Sequence, residues 1–331
     1  MTLPLLRRSG LVPGHILLRY KRFLADVELE DGSRVTAHCT NTGTMATCWE
    51  PGDPVLLEPS ANPNRKLPFT WIACSTTCST RGTQSELRER AVPLDQGRRS
   101  GQAWPGHAVG SARGTQSEPR ERAVPLDQGR RSGQAWPGHA VGSTRGTQSE
   151  LRERAVPLVY NWVGVDTGVP NKVVAEAVRQ DRLPGLPGLS EVRTEVTYGV
   201  ERSRIDVLAR DAEGRSVYIE VKNTTLRIGD QICFPDAVTE RGRKHLRELQ
   251  GMVREGHRAA LVFFVQRGDG LSFDAARGID PAYAAELDRA AEAGVEILPL
   301  QVHLEARPEA DGTWSLEWGL AGVLPWVRLK S

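Results

Sequence analysis

The stretch "SRIDVLARDAEGRSVYIEVKN" (residues 203–223) reads as two apolar strands joined by a polar turn, with Asp206, Glu220 and Lys222 set inside the strands. Charged side chains are seldom buried unless they are paired or bind a metal. The stretch is therefore either a site or a solvated sheet face. Period-two alternation puts Tyr218, Glu220 and Lys222 on one face of the second strand and Val217, Ile219 and Val221 on the other, which is uniformly apolar and suits a core. Ile205 and Val207 are expected to face away from Asp206 and again read as core. A hairpin centred on residue 213, inside "DAEGR", pairs 206 with 220 across a loop of about five residues. The two carboxylates are then cross-strand neighbours with Cβ atoms about 5 Å apart. Like charges at that spacing repel unless a proton or a divalent cation lies between them. Oxygen ligands of this kind suit Mg²⁺ or Mn²⁺. Lys222 is placed to orient an attacking water or to stabilise charge on a phosphate. The competing reading is a wet face on which Lys222 neutralises a carboxylate.

The flanking sequence frames this hairpin as part of an α/β sheet. "PNKVVAEAVRQDRL" (170–183) is amphipathic, with Val173, Val174, Ala177 and Val178 on one face. Strands are expected at 192–198, 203–209 and 216–222. A long helix opened by a Thr cap follows in "AVTERGRKHLRELQGMVREGH" (237–257). Then come "RAALVFFVQ" (258–266), a near-continuous apolar run typical of a buried strand, the helix "PAYAAELDRAAEAG" (281–294) and the strand "VEILPLQV" (295–302). Helix, three strands, helix, strand, helix, strand predicts a mixed sheet flanked by helices over 159–331. In 1–75, "HILLRYKRFLADVELEDGSRVTAHCTNTG" and "EPGDPVLLEPSANPNRKLPFTWIAC" alternate in about five short strands broken by turn signals, which predicts a small OB-like β-barrel.

Between them, 76–158 is a low-complexity insert. "RGTQSELRERAVPLDQGRRSGQAWPGHAVGSA" (81–112) returns at 113–144 with changes only at Leu87/Pro119 and Ala112/Thr144, and a partial third copy ends at 158. Solenoid repeats diverge and carry a periodic apolar face. This segment does neither, and it has too little apolar material to offset chain entropy, so disorder is expected. A basic arm touching nucleic acid is the alternative.

Net charge is +2, but it divides unevenly: +1 over 1–80, +5 over 81–158 and −4 over 159–331. Nucleic-acid arguments must therefore rest on local patches. Arg19, Lys21 and Arg22, with Arg65 and Lys66, place charge beside Tyr20, Phe23 and Phe69, a combination suited to single strands. Phe23 and Phe69 themselves are read as barrel core. Arg241, Arg243, Lys244 and Arg247 on the long helix are read as phosphate contacts rather than a merely solvated face. His38 and Asn41, in "HCTNTG", could face the same cleft, although His38 fits a structural role equally well. Five cysteines at irregular spacing suit reduced thiols in a cytoplasm, and the lone Cys74/Cys78 pair does not predict zinc. No run approaches the ~20 apolar residues of a membrane span, and the N-terminus has no signal-peptide pattern.

An acid upstream of E-x-K on adjacent strands after a helix resembles the PD-(D/E)XK nuclease core. More closely, "RYKRFLADVELEDGSRVTAHCTNTGTM" (19–45), "NRKLPFTW" (64–71), "VGVDTGVPNKVVAEAV" (163–178), "EVTYGVERSRIDVLA" (195–209), "YIEVKNTTL" (218–226) and "FPDAVTERGRKHLREL" (234–249) resemble the sugar fermentation stimulation protein A family. The resemblance covers nearly everything outside 76–158. It implies an OB-like barrel before a PD-(D/E)XK-like domain, DNA binding, and regulation of sugar use. It assigns Asp206, Glu220 and Lys222 to the nuclease triad, with Glu195 and Glu176 as outer acids. Thr40 stands where the family usually has proline. Three functions follow: a Mg²⁺-dependent DNA phosphodiesterase, a non-catalytic DNA-binding regulator of sugar (maltose) metabolism, or an interaction protein that does not touch nucleic acid. The oligomeric state is left open, a homodimer included.

Deleting 81–158 should leave a folded chain with a cooperative thermal transition, since long surface insertions cost little in closure entropy. A deletion variant without far-UV structure would show the repeat to be part of the fold.

Overall fold

One long strand serves two sheets. In the computed structural model, which describes residues 4–76, 161–199 and 202–328, β1 (Leu6–Tyr20) pairs through its first half with β15 (Trp314–Val323) and through its second half with β2 (Leu24–Leu29) and β4 (Pro54–Pro59), antiparallel throughout. The hand-over falls at a register shift between Arg8 and Leu11, where Gly10 takes φ +69°, a left-handed conformation glycine adopts without penalty.

The second half of β1 belongs to a barrel. β2 pairs with β3 (Arg34–His38), β3 runs parallel to β5 (Phe69–Thr76), and β5 pairs with β4, which returns to β1 and closes the circuit. Ile16, Val27, Val55, Leu57 and Trp71 fill it. Phe69 packs against this core as expected. Phe23 does not. It sits in the β1–β2 turn and is 46% exposed, because Lys21 and Arg22 before it in that turn both have positive φ and carry the chain outward.

β6 (Asn161–Gly164) pairs with β5, Thr76 lying opposite Asn161. The barrel sheet thus continues past the repeat, and the two described ends of the 77–160 segment are hydrogen-bonded neighbours. The repeat itself, with the disorder expected of it, lies outside the described residues.

The mixed sheet runs β15, β14 (Glu296–Pro308), β12 (Arg258–Val265), β9 (Ser216–Thr224), β8 (Ser203–Arg210), β7 (Ser190–Tyr198). β12 is parallel to both β14 and β9, which explains its unbroken apolar sequence: both of its faces are covered. α1 (Val169–Arg179) covers one face with the four residues the pattern selected. α2 (Glu240–Arg254) and α3 (Pro281–Glu292) cover the other. The Thr239 side chain accepts the Gly242 N–H and caps α2 as anticipated. A small sheet of β10 (Leu226–Ile228), β11 (Gln231–Phe234) and β13 (Ser272–Ala275) was not foreseen. Its strands are too short to show a period. No helix of the described residues is long and apolar enough to cross a membrane.

Buried Arg267 ties barrel to sheet. Nη1 donates to the carbonyls of Thr225, at 2.7 Å, and Thr47, at 3.1 Å, while Nε meets Asp269 Oδ1 at 2.6 Å. The Thr47 hydroxyl in turn accepts the Arg227 N–H. Gln266 closes the adjoining seam, bonding Trp318 and Asn223, and its side chain fills the space a Cβ on Gly164 would need. Arg267→Met removes the guanidinium donors of this junction and leaves buried acceptors unmatched. It should lower the urea-unfolding free energy by about 3–5 kcal/mol, whereas an unchanged midpoint would show the lobes to be held elsewhere.

Candidate active site

β8 and β9 pair from Val207↔Ile219 to Arg210↔Ser216, a hairpin centred on residue 213 as the sequence indicates. The ladder stops there because Asp206 Oδ2 takes the Val221 N–H at 2.7 Å, a carboxylate standing in for a backbone acceptor. This slips the alternation of β8. Ile205 and Val207 are both fully buried, but against opposite faces: Ile205 joins the core under α2 and α3, Val207 the core under α1. Both are core as expected, though not on one face of the strand. The β7 residue opposite Asp206 is Glu195, itself at φ +58°.

Glu220 faces α2 and is 2% exposed, so the wet-face reading fails. Its Oε1 accepts Lys222 Nζ at 2.5 Å and contacts His245 Nδ1. Arg241 Nε donates to His245 Nε2 at 3.3 Å, which makes Nε2 the acceptor and leaves the proton on Nδ1, aimed at Glu220. Glu220 Oε2 is buried and has no partner. Asp206 Oδ1 accepts from the Asn171 side-chain amide of α1 at 2.7 Å.

The two carboxyls are driven apart electrically. Burial raises Asp206, the Glu220 charge raises it further, and the Val221 N–H, Lys222 and Asn171 only partly offset this, leaving it at about 6. Burial also pushes Glu220 up, but Lys222 and His245 more than compensate and hold it below the ordinary carboxylate value.

The barrel loop braces both helices that reach the site. Thr40 Oγ1 donates to Asp166 Oδ1 at 3.0 Å and accepts the Thr167 N–H at 3.0 Å, just before α1 and Asn171. Arg8 Nη2 meets Asp166 Oδ2 at 2.6 Å. A proline at position 40 could make neither hydroxyl bond. Thr44 N donates to Asp236 Oδ2 at 2.7 Å, in the segment that leads into α2 and His245.

The remaining candidates disperse. Glu176 is on an outer face of α1, bonded to Gln180 and Arg179; five residues before it on α1, Asn171 is the residue that reaches Asp206. Glu195 is half-exposed and paired with Arg204 at 3.1 Å. The Arg19 guanidinium is committed to the carbonyls of Arg22, Asn41, Gly43 and Thr44, and Asn41 is buried with its Oδ1 on the Gly43 N–H. Arg65 holds Thr70 and His38, and Arg243 lies 3.6 Å from Asp280. Lys244 is half-buried, while Lys21, Arg22, Lys66 and Arg247 are exposed. Asn171, His245, Glu248 and Tyr198 were not singled out from the sequence. For His245 and Glu248 a signal existed: both fall on the apolar stripe of α2 with Leu249 and Met252.

Residues 168–308 match the family model described as the sugar fermentation stimulation protein RE domain, and residues 17–80 match the SfsA N-terminal OB domain. The sugar fermentation stimulation protein homolog of Geotalea uraniireducens is 36% identical over 295 residues, spanning 89% of this chain and 91% of its own. Those of Geobacter metallireducens and Rhodospirillum rubrum are 37% and 39% identical, spanning 88% and 87% of this chain and 89% of their own length in each case. The solved structure of Pyrococcus furiosus SfsA in complex with Ca²⁺ shares the fold, with TM-score 0.63 and 21% identity over 98% of this chain and 100% of that one.

The raised Asp206 value fixes the sign of a pH effect in cation-free buffer. The folded carboxyl binds its proton more tightly than the unfolded one, so its contribution favours folding below pH ~4 and is lost as pH rises through ~6. Across that window wild type should lose on the order of 2–3 kcal/mol relative to Asp206→Asn in urea unfolding. Parallel pH profiles for the two proteins would contradict the assigned environment.

Proposed function

The chain belongs to the sugar fermentation stimulation protein family, and on that footing we propose that it binds DNA and carries a divalent-cation-dependent phosphodiesterase site on a PD-(D/E)XK nuclease-like sheet. The observation that carries this reading is the burial of Glu220 beside Asp206 and Lys222 with Oε2 left unpartnered. Asp206 and Glu220 would hold Mg²⁺ or Mn²⁺. The fit rests on the donors: two carboxylates, one oxygen of Glu220 unsatisfied and the ionised form of Asp206 disfavoured by burial and then by its neighbour's charge. A relative's structure contains Ca²⁺, a cation with the same preference for oxygen. Bound there, the cation would polarise a phosphate oxygen and acidify a water.

The chain's own groups do the positioning. Glu220 Oε1 fixes the Lys222 ammonium near the end of β9, where it can neutralise a phosphate oxygen as charge accumulates. Asn171 and the Val221 N–H hold Asp206 in one orientation. Exposed Phe23 beside Lys21 and Arg22 supplies an aromatic face with adjacent charge, the combination that single strands use. Arg247 adds exposed positive charge on α2. One observation favours the second reading, a regulator that binds DNA without cutting it: Lys222 and His245 already satisfy Glu220 Oε1, so that oxygen is compensated without a cation.

The deciding assay incubates purified protein with single- and double-stranded DNA in Mg²⁺ or Mn²⁺ beside Glu220→Ala and Lys222→Ala. The expected result is metal-dependent cutting, abolished in the first variant and reduced about 10²-fold or more in the second. Salt-sensitive binding without cutting, equal in all three proteins, would leave the regulator.

A further inference from the structure

Arg19 joins two segments that β2 and β3 separate in the chain. Its Nη2 lies 2.7 Å from the Arg22 carbonyl and 2.8 Å from those of Asn41 and Gly43, and Nη1 lies 3.2 Å from that of Thr44. Arg22 belongs to the β1–β2 turn, and the other acceptors belong to the loop after β3. The Cys39 N–H, donated to the Phe23 carbonyl at 2.8 Å, ties the same turn to the start of that loop. Lys21, Arg22 and Phe23 turn their side chains outward and are exposed. Arg19 therefore holds the exposed turn from behind, with its own donors spent on carbonyls.

From the loop, hydrogen bonds lead on toward both carboxylates. Thr40 Oγ1 bonds Asp166 and the Thr167 N–H just before α1, whose Asn171 holds Asp206. The Thr44 N–H and hydroxyl reach Asp236 Oδ2 at 2.7 and 3.2 Å, just before α2, whose His245 contacts Glu220. Loop and acid are packed closely enough that a Cβ on Gly43 would lie 2.3 Å from Asp236 Oδ2. A ligand that binds the turn in this conformation stabilises whatever holds the turn, and by linkage it slows each opening that would release it. A lysine at position 19 would keep the charge but lose the planar fork that spans carbonyls of two segments.

We propose that Arg19 is a positioning residue: it locks turn 21–23 to loop 41–44, so that a single strand seated on Lys21, Arg22 and Phe23 tightens the segments that carry Asn171 and His245 onto the carboxylates. The inference rests on reading that turn as the nucleic-acid contact and Asp206 and Glu220 as the reaction site. It makes strand occupancy of the barrel a condition on how firmly the site is ordered.

The test measures amide hydrogen exchange of the full-length chain with and without an oligothymidylate of ~12 nucleotides. It compares wild type with Arg19→Lys, Asp236→Ala and the control Arg65→Lys, whose guanidinium bonds Thr70 and His38 off this route. With strand at ~100 Kd, linkage caps the slowing at about 100-fold, and wild type should show about tenfold or more at 41–44 and at 238–245. At equal occupancy, Arg19→Lys should keep the slowing at 21–23 and lose it at both distant segments. Asp236→Ala should keep it at 41–44 and lose it at 238–245, and Arg65→Lys should match wild type. A merely structural Arg19 would speed exchange with and without the strand yet leave the strand-dependent difference at 238–245 in place, which overturns the inference. Should Arg19→Lys not fold, an undiminished difference in Asp236→Ala overturns it instead. Slowing confined to 21–23 in wild type overturns the inference and leaves DNA binding intact, whereas no oligonucleotide binding by wild type overturns both. Slowing that depends on Arg19, without DNA cutting, upholds the inference and removes the nuclease.

Discussion

Glu220 stays ionised inside the protein because Lys222 and His245 converge on one of its oxygens. That constraint propagates outward. Lys222 is on the same strand and face, so it comes with the local geometry of β9. His245 arrives only if α2 docks on the sheet, and α2 starts where Thr239 caps it and where Asp280 accepts the Thr239 N–H. Asp236, just upstream, is gripped by Thr44 of the barrel. The charge state of one β9 carboxylate thus depends on barrel, sheet and helix being assembled together.

The same economy governs the join between lobes. β1 belongs to both sheets, and Arg267 spans their seam with its guanidinium bonded to backbone carbonyls from each side. A buried guanidinium demands that all its acceptors be present, so it selects a single arrangement of the junction. Barrel and sheet are consequently one body, and residues of the barrel loop act as supports for Asn171 and His245. Thr76 and Asn161, which flank residues 77–160, pair in one ladder, so the closure cost of the chain between them grows only slowly with its length.

Much of this was legible in the sequence. Alternation along "SVYIEVK" separated the apolar face from the charged one, the polar turn set the hairpin centre at residue 213, and the apolar run at 258–266 identified the central strand. These are properties of single elements with a short period, which the chain carries locally. Where side chains from different elements had to be matched, the reading was weaker. Glu176 and Glu195 satisfy a sequence pattern but end on solvent-facing positions, and Arg19, expected at nucleic acid, is consumed by four carbonyls of its own barrel. Phe23, read as core, is turned out by two positive-φ residues before it.

The sequence alone determined which residues could be charged together on one strand face, because strand period is a property of the backbone. Only the tertiary structure decided that this face is dry, that His245 and Glu248 are the helix residues laid over it, and that Asn171 rather than Glu176 reaches Asp206. Those outcomes depend on the angle and register at which α1 and α2 cross the sheet. Packing of two cores on opposite faces sets that angle, and no local period encodes it.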